Sequence, residues 1–109
     1  MLATSISATT NGDVALSLTV ENEGTEPVEL PFRTAQRADF VAYRDGEEVW
    51  RWSDGRMFAQ VLGEERLNPG ETLTVDATWD APPSGEYRVV GELVARGVDV
   101  ASETTVTVP

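Results

Sequence analysis

The chain has 109 residues, 40% of them apolar, which is the ordinary size of one domain and enough to form a hydrophobic core. Its 19 acidic residues outnumber eight basic residues, all arginine, so the net charge of −11 disfavours nucleic acid and anionic membrane surfaces as partners. Cysteine and histidine are absent, which excludes disulfides and removes the commonest general base and transition-metal ligand. We therefore predict a single domain over residues 1–109 with no catalytic residues, no cofactor and no metal.

The first third of the chain shows the two-residue periodicity of β-strands. Residues 2–8 alternate as an edge strand would, and Asn11-Gly12 is suited to a tight turn. Residues 14–20 then carry the cleanest apolar face in the sequence. The pattern continues over residues 28–34, where Pro31 lacks an amide hydrogen and so predicts a sheet edge or an interruption.

Two Asp-Gly pairs divide the middle of the chain into short strands. Residues 40–44 run into Asp45-Gly46, which suits a two-residue hairpin because both central positions need positive φ. Residues 48–53 follow, and Asp54-Gly55 then predicts a second turn into a strand over residues 56–61. In the segment between the two pairs, alternation places Glu48 with both tryptophans on one face and Val49 with Arg51 on the other.

The last third continues the strand pattern after one ambiguous segment. Residues 62–67 are the only piece that could form a helical turn, and the segment is too short to be a stable helix alone. Residues 73–79 alternate up to Trp79, and the spacing around Tyr87 matches the tyrosine corner of immunoglobulin-like sandwiches. We expect these two aromatic residues to be the main core anchors, and the valines between residues 98 and 108 to belong to a last strand.

These patterns predict the fold class. Seven to nine short strands, with a turn signal about every ten residues and no credible helix, indicate an all-β, antiparallel, immunoglobulin-like β-sandwich. We expect each sheet to have one packed face and one face in contact with water.

No known catalytic motif is present. A glycine-rich phosphate loop, a nucleophile elbow and a calcium-binding loop are all absent, and the acid pairs Glu47-Glu48 and Glu64-Glu65 are more typical of solvated charges than of catalytic groups. The composition and motifs therefore favour a protein that is not an enzyme.

The aromatic and basic residues after Arg44 are the candidates for partner contact. Tryptophan and arginine are enriched at binding hot spots, which favours a contact surface, whereas residues of this size are usually buried, which favours a core with an arginine at its rim. We favour burial for at least one of these tryptophans and, by default, for Met57 and Phe58. The candidate contact residues are Trp50, Arg51, Trp52, Arg56, Met57, Phe58 and Leu62.

The same segment carries a family resemblance. Asp39-Phe40-Val41, Asp45-Gly46, residues 48–53 and Met57-Phe58-x-Gln60 resemble the central motif of the BsuPI family, named for an intracellular proteinase inhibitor. Further matching segments are Val20-Glu21-Asn22, residues 32–36, Pro69-Gly70-Glu71, Trp79-Asp80 and Gly85-Glu86-Tyr87.

This resemblance implies a cytoplasmic, non-catalytic domain whose partner is a protein, namely a subtilisin-like serine protease. A rigid extended loop would enter the protease cleft, and residues 53–58 and 60–67 are the candidate loops. Met57, Phe58, Leu62 or Leu67 could fill an apolar specificity pocket. The alternative is an immunoglobulin-like protein–protein interaction or accessory module without inhibitory activity.

The charge also suggests an environment. An acidic chain without lysine resembles proteins from halophilic organisms, and at about 1 M salt a Debye length of about 3 Å screens repulsion between surface carboxylates. We therefore expect a protein adapted to high salt. The other interpretation is an ordinary acidic protein.

Overall fold

The structure, a computed structural model, describes all 109 residues and contains nine β-strands and no helix. The strands are β1 Leu2–Asn11, β2 Asp13–Asn22, β3 Val28–Phe32, β4 Ala38–Arg44, β5 Glu47–Arg51, β6 Gly63–Leu67, β7 Thr72–Trp79, β8 Gly85–Leu93 and β9 Ala101–Val108. The predicted all-β fold is confirmed. No helix of the length and apolarity needed to span a membrane is found.

Two larger antiparallel sheets form the sandwich. One has the strand order β1-β2-β7, the other has the order β5-β4-β8-β9, and β3 pairs with β6 in a small third sheet. The predicted edge positions of β1 and of β3, which contains Pro31, are both confirmed, because each strand pairs with only one neighbour. On one side of the sandwich the sheets approach each other, and the hydroxyl of Thr4 in β1 donates a 3.0 Å hydrogen bond to the carbonyl of Ala101 in β9.

The core lies between the two larger sheets. The alternating residues of β2 from Val14 to Val20 are fully or almost fully buried, and they share one cluster with residues of β4, β7, β8 and β9. A side chain at Gly91 in β8 would come within 3.0 Å of Ile6 and 3.3 Å of Leu18 on the opposite sheet, so a glycine permits this close approach.

Trp79 and Tyr87 are core anchors, as predicted. They are 5% and 3% exposed, and their rings meet edge to face with centroids 4.8 Å apart, joining β7 to β8 across the sandwich. The Tyr87 hydroxyl donates a 2.7 Å hydrogen bond to the carbonyl of Pro83, four residues upstream, which is the bond expected of a tyrosine corner.

The ambiguous segment forms a strand: residues 63–67 are β6, which pairs along its whole length with β3. Two local predictions are wrong. Residues 56–61 form no strand, because they pair with none of the nine strands. Val98 and Val100 belong to the connection that precedes β9, and this connection forms backbone hydrogen bonds with Pro31 near the end of β3 and with Arg37 after it.

Candidate functional site

A buried carboxylate organises the region after β5. Asp39 lies in β4, which has a neighbour on both sides, and is only 5% exposed. Its Oδ1 accepts hydrogen bonds from the amides of Phe40 at 2.9 Å and Ser53 at 3.1 Å. Its Oδ2 accepts bonds from the Ser53 hydroxyl at 2.6 Å and from Arg51 at 3.2 Å. Because a buried charge is tolerated only when it is fully bonded, Asp39 fixes the turn that follows β5.

Arg51 forms the outer part of this network, and its position corrects the predicted alternation. Strand β5 contains a bulge in which Val49 has no partner on β4, so Glu48 and Arg51 lie on the same side and form an ion pair at 2.9 Å. Hydrogen bonds that Arg51 donates to Glu48 and, to a smaller extent, to Asp39 raise the pKa of its guanidinium further above the usual value, against the opposing effect of desolvation. The guanidinium is therefore a permanent positive charge.

Both tryptophans of this region pack against the core. Trp50 stacks on Trp79 with ring centroids 5.0 Å apart, and Trp52 meets Phe40 edge to face at 6.3 Å. Each is half-buried, so they support the sandwich and do not form a bare aromatic patch.

Trp52 is also the platform for the residues that follow the turn. The guanidinium of Arg56 lies 4.5 Å from the centre of the Trp52 ring and donates a 2.9 Å hydrogen bond to the Trp52 carbonyl. The ring of Phe58 packs on the same indole at 5.6 Å. The chain is thus attached to the core immediately before and after Met57.

Residues 57–62, named here the exposed loop, then cross the surface without joining a sheet. The chain has five exposed large apolar residues, and three of them lie in this loop: Met57 at 98% exposure, Val61 at 58% and Leu62 at 81%. The amide of Ala35 donates a 3.0 Å hydrogen bond to the carbonyl of Ala59, which fixes the middle of the loop. No residue from 56 to 62 has positive φ, so the backbone is compatible with an extended conformation.

The loop ends at the first residue of β6, beneath an arginine. A side chain at Gly63 would meet the guanidinium of Arg37 at 2.7 Å, and that guanidinium also pairs with Glu65 at 3.4 Å and lies over the ring of Phe32 at 4.3 Å. Next along β6, hydrogen bonding and charge repulsion from the neighbouring Glu29 raise the pKa of the Glu64 carboxyl.

Comparison with known families identifies the chain. A model of the family described as "BsuPI: Intracellular proteinase inhibitor" matches residues 2–98. The chain belongs to the BsuPI family. No curated protein matches it.

Solved structures support the fold of this BsuPI protein. Eight chains of solved structures match it. One is the crystal structure of a Bordetella pertussis protein that carries the provisional name ApaA, with a TM-score of 0.56 and 17% sequence identity, covering 100% of this chain and 94% of the other. At this identity, the likeness shows the fold alone.

The candidate contact residues of this BsuPI protein fall into two groups. Trp50, Arg51, Trp52, Arg56 and Phe58 build the support described above, and Met57 and Leu62 project from it into solvent. The default expectation that Met57 is buried is wrong, because both of its neighbours are attached to Trp52 and direct the chain outward. Leu67 cannot fill a partner's pocket without unfolding, because it is 5% exposed and part of the core.

Asp39 was not among the predicted site residues. The sequence signal for this residue is an acidic side chain inside the otherwise apolar segment Ala38–Ala42. A buried strand accommodates a carboxylate only when several hydrogen-bond donors contact it. No group of three or more acidic side chains in the chain could hold a metal ion.

Proposed function

We propose that this protein is a non-catalytic inhibitor of an intracellular, subtilisin-like serine protease, and that the exposed loop enters the protease cleft. The family's description as an intracellular proteinase inhibitor supports the role of inhibitor and a cytoplasmic location. The observation that carries the assignment to this loop is its combination of large exposed apolar side chains with an attached backbone.

An inhibitory loop needs a fixed backbone and a free specificity side chain. A loop that is already ordered loses less conformational entropy on binding, and a cleaved loop that stays attached can be resealed or released slowly. Arg56 and Phe58 attach the chain to Trp52, and the Ala35 amide attaches it again at Ala59. This arrangement supplies rigidity without a disulfide.

Met57 is the residue that we assign to the protease's specificity pocket. It is 98% exposed between two attached neighbours, whereas the 81% exposed Leu62 has the exposed Val61 on one side. A long, unbranched apolar side chain suits an apolar pocket, and the pocket that takes the residue before the scissile bond sets the specificity of a serine protease.

The test is inhibition of a subtilisin-like protease that cleaves a chromogenic peptide, in dilute buffer and in molar KCl. We expect inhibition by the unaltered protein at micromolar concentration, and a loss of about tenfold or more in affinity, equivalent to about 1.4 kcal/mol, for Met57→Asp because the new charge would be buried in an apolar pocket. We also expect slow cleavage between Met57 and Phe58, which mass spectrometry of the complex would detect.

Two variants serve as controls. Val49→Asp places the same charge on an exposed residue outside the loop and should leave inhibition unchanged. Leu62→Asp should have a smaller effect than Met57→Asp, and the reverse order would transfer the specificity role to Leu62. Absence of inhibition by the unaltered protein in both buffers would refute the proposed function and favour an accessory binding module.

We further propose that the protein is adapted to high salt, on the basis of its net charge of −11 and the absence of lysine. Screening of carboxylate repulsion should raise the melting temperature in molar KCl above that in dilute buffer. A melting temperature that is no higher in KCl would contradict this proposal and would not affect the assignment of the loop.

A further inference from the structure

Two arginines in this acidic chain have no partner. Six of the eight arginines form an ion pair with an acidic residue or lie over an aromatic ring, and these six are Arg37, Arg44, Arg51, Arg56, Arg66 and Arg88. The side chains of Arg33 and Arg96 form no ion pair, no hydrogen bond and no ring contact, although the chain has 19 acidic residues.

The two unpaired arginines line the same surface cavity. This cavity, named here the arginine cleft, has a volume of about 480 Å³, and its remaining walls are formed by Thr34, Gln36, Val94 and Gly97. No acidic residue lines it. The walls of the cleft thus carry two positive charges and no negative charge, on a chain whose net charge is −11.

The fold holds the backbones of both walls in place. The amide of Arg96 donates a 2.8 Å hydrogen bond to the carbonyl of Pro31, two residues before Arg33, and the amide of Val94 donates a 3.0 Å bond to the carbonyl of Arg37. These bonds connect the segment after β8 to the end of β3 and to the segment that follows it. The cleft is thus a fixed feature with two exposed side chains at its rim.

We propose that the arginine cleft binds the carboxylates of an acidic segment on a protein partner. The planar guanidinium matches a carboxylate through two parallel hydrogen bonds, and unpaired arginines form such bonds without first breaking an internal ion pair. Two guanidinium groups on separate connections can take two acidic side chains, and the cavity is larger than a single oxyanion requires.

The position of the cleft beside the exposed loop indicates which partner brings these carboxylates. Ala35 lies between the cleft residues Thr34 and Gln36, and its amide is the donor that bonds to Ala59 in the exposed loop. A protein seated on the loop would therefore also cover the cleft. This step rests on the proposed function, and it assigns to the target protease an acidic patch at the border of its active-site cleft.

The first experiment tests the cleft without any protease. A hexaglutamate peptide is titrated into the protein while NMR follows the Nε–H resonances of the arginine side chains. We expect saturable shifts at Arg33 and Arg96, lost in the double variant R33Q/R96Q and retained in R66Q/R88Q, which changes the net charge equally by breaking two ion pairs at 2.8 and 2.9 Å. Equal shifts at all exposed arginines would overturn the proposal. So would inorganic phosphate binding as tightly as the peptide, because the ligand would then be a free oxyanion.

The second experiment measures protease inhibition as salt is varied. Charges at the rim of an interface act mainly on the association rate and its salt dependence, so R33Q/R96Q should weaken inhibition about tenfold in dilute buffer and less in molar KCl. R66Q/R88Q should retain the affinity of the unaltered protein. If Met57→Asp weakens inhibition as expected and R33Q/R96Q does not change it, the proposed function stands and this inference fails. If the unaltered protein does not inhibit, the proposed function fails and the peptide titration still decides whether the cleft binds carboxylates.

Discussion

Two Asp-Gly turns flank β5, and the chain continues differently after each. At Asp45-Gly46 both residues have positive φ, at 52° and 81°, and β4 and β5 pair on either side as a two-residue hairpin requires. At Asp54-Gly55 only the glycine has positive φ, at 75°, and no strand follows. The dipeptide makes a turn in both places, but the structure after the turn depends on contacts with distant residues.

Those contacts differ between the two turns. Asp45 forms no side-chain hydrogen bond, so the first turn is maintained by its own backbone and by the strand pairing on either side. The second turn is held by Asp39, fourteen residues before Ser53 in the chain, and by the packing of Arg56 on Trp52. Removal of distant contacts should therefore affect the second turn far more than the first.

The largest effect should come from Asp39→Ala. This change leaves the Ser53 amide, the Ser53 hydroxyl and Arg51 without their shared acceptor, and we expect a loss of about 3 kcal/mol in the free energy of unfolding, measured with urea. Asp45→Ala is the matched control and should cost about 1 kcal/mol, since only the positive φ is affected. Equal losses for the two variants would show that the second turn does not depend on the buried carboxylate.

The glycines of the two turns should behave alike. Gly46 and Gly55 have φ values of 81° and 75°, and a Cβ at either position would meet no atom within 4 Å. Substitution by alanine should therefore cost about 1 kcal/mol at each site through backbone strain alone, in the same urea experiment. A much larger loss of stability for Gly55→Ala would contradict this expectation, because backbone strain alone would not account for the cost at the second turn.

The same contrast between local sequence and distant contacts explains which features could be predicted from the sequence. The buried face of β2 follows from alternation alone, because an unbroken strand keeps a period of two. The bulge at Val49 depends on how β5 pairs with β4, so alternation placed Glu48 on the wrong face. Met57 has the composition of a core residue, and only the packing of its neighbours on Trp52 makes it the most exposed large apolar residue.

Arg56→Gln should loosen the exposed loop while changing global stability little. The variant loses a cation–π contact and one hydrogen bond at the surface, so we expect a decrease of less than about 1 kcal/mol in the free energy of unfolding. Cleavage by thermolysin within residues 57–62 should nevertheless become faster, because local opening of an attached segment becomes easier. Arg44→Gln, next to the first turn, is the control and should leave cleavage of the exposed loop unchanged.

The smallest effect concerns the charged residues on the strands next to the first turn and next to the exposed loop. Beside the first turn, Arg44 and Glu47 face each other with opposite charge, whereas the exposed loop leads into β6, where Glu64 lies next to Glu29. The pKa of Glu64 is raised in the folded state, so protonation of this carboxyl stabilises the fold, and its own contribution to stability increases as the pH falls through that pKa. Glu64→Gln should therefore raise the melting temperature slightly at neutral pH, and this gain should disappear in acid and shrink in molar KCl. Glu47→Gln removes the same charge from a residue opposite an arginine, so a comparable rise in its melting temperature would trace both gains to the net charge of −11 and not to the Glu29–Glu64 contact.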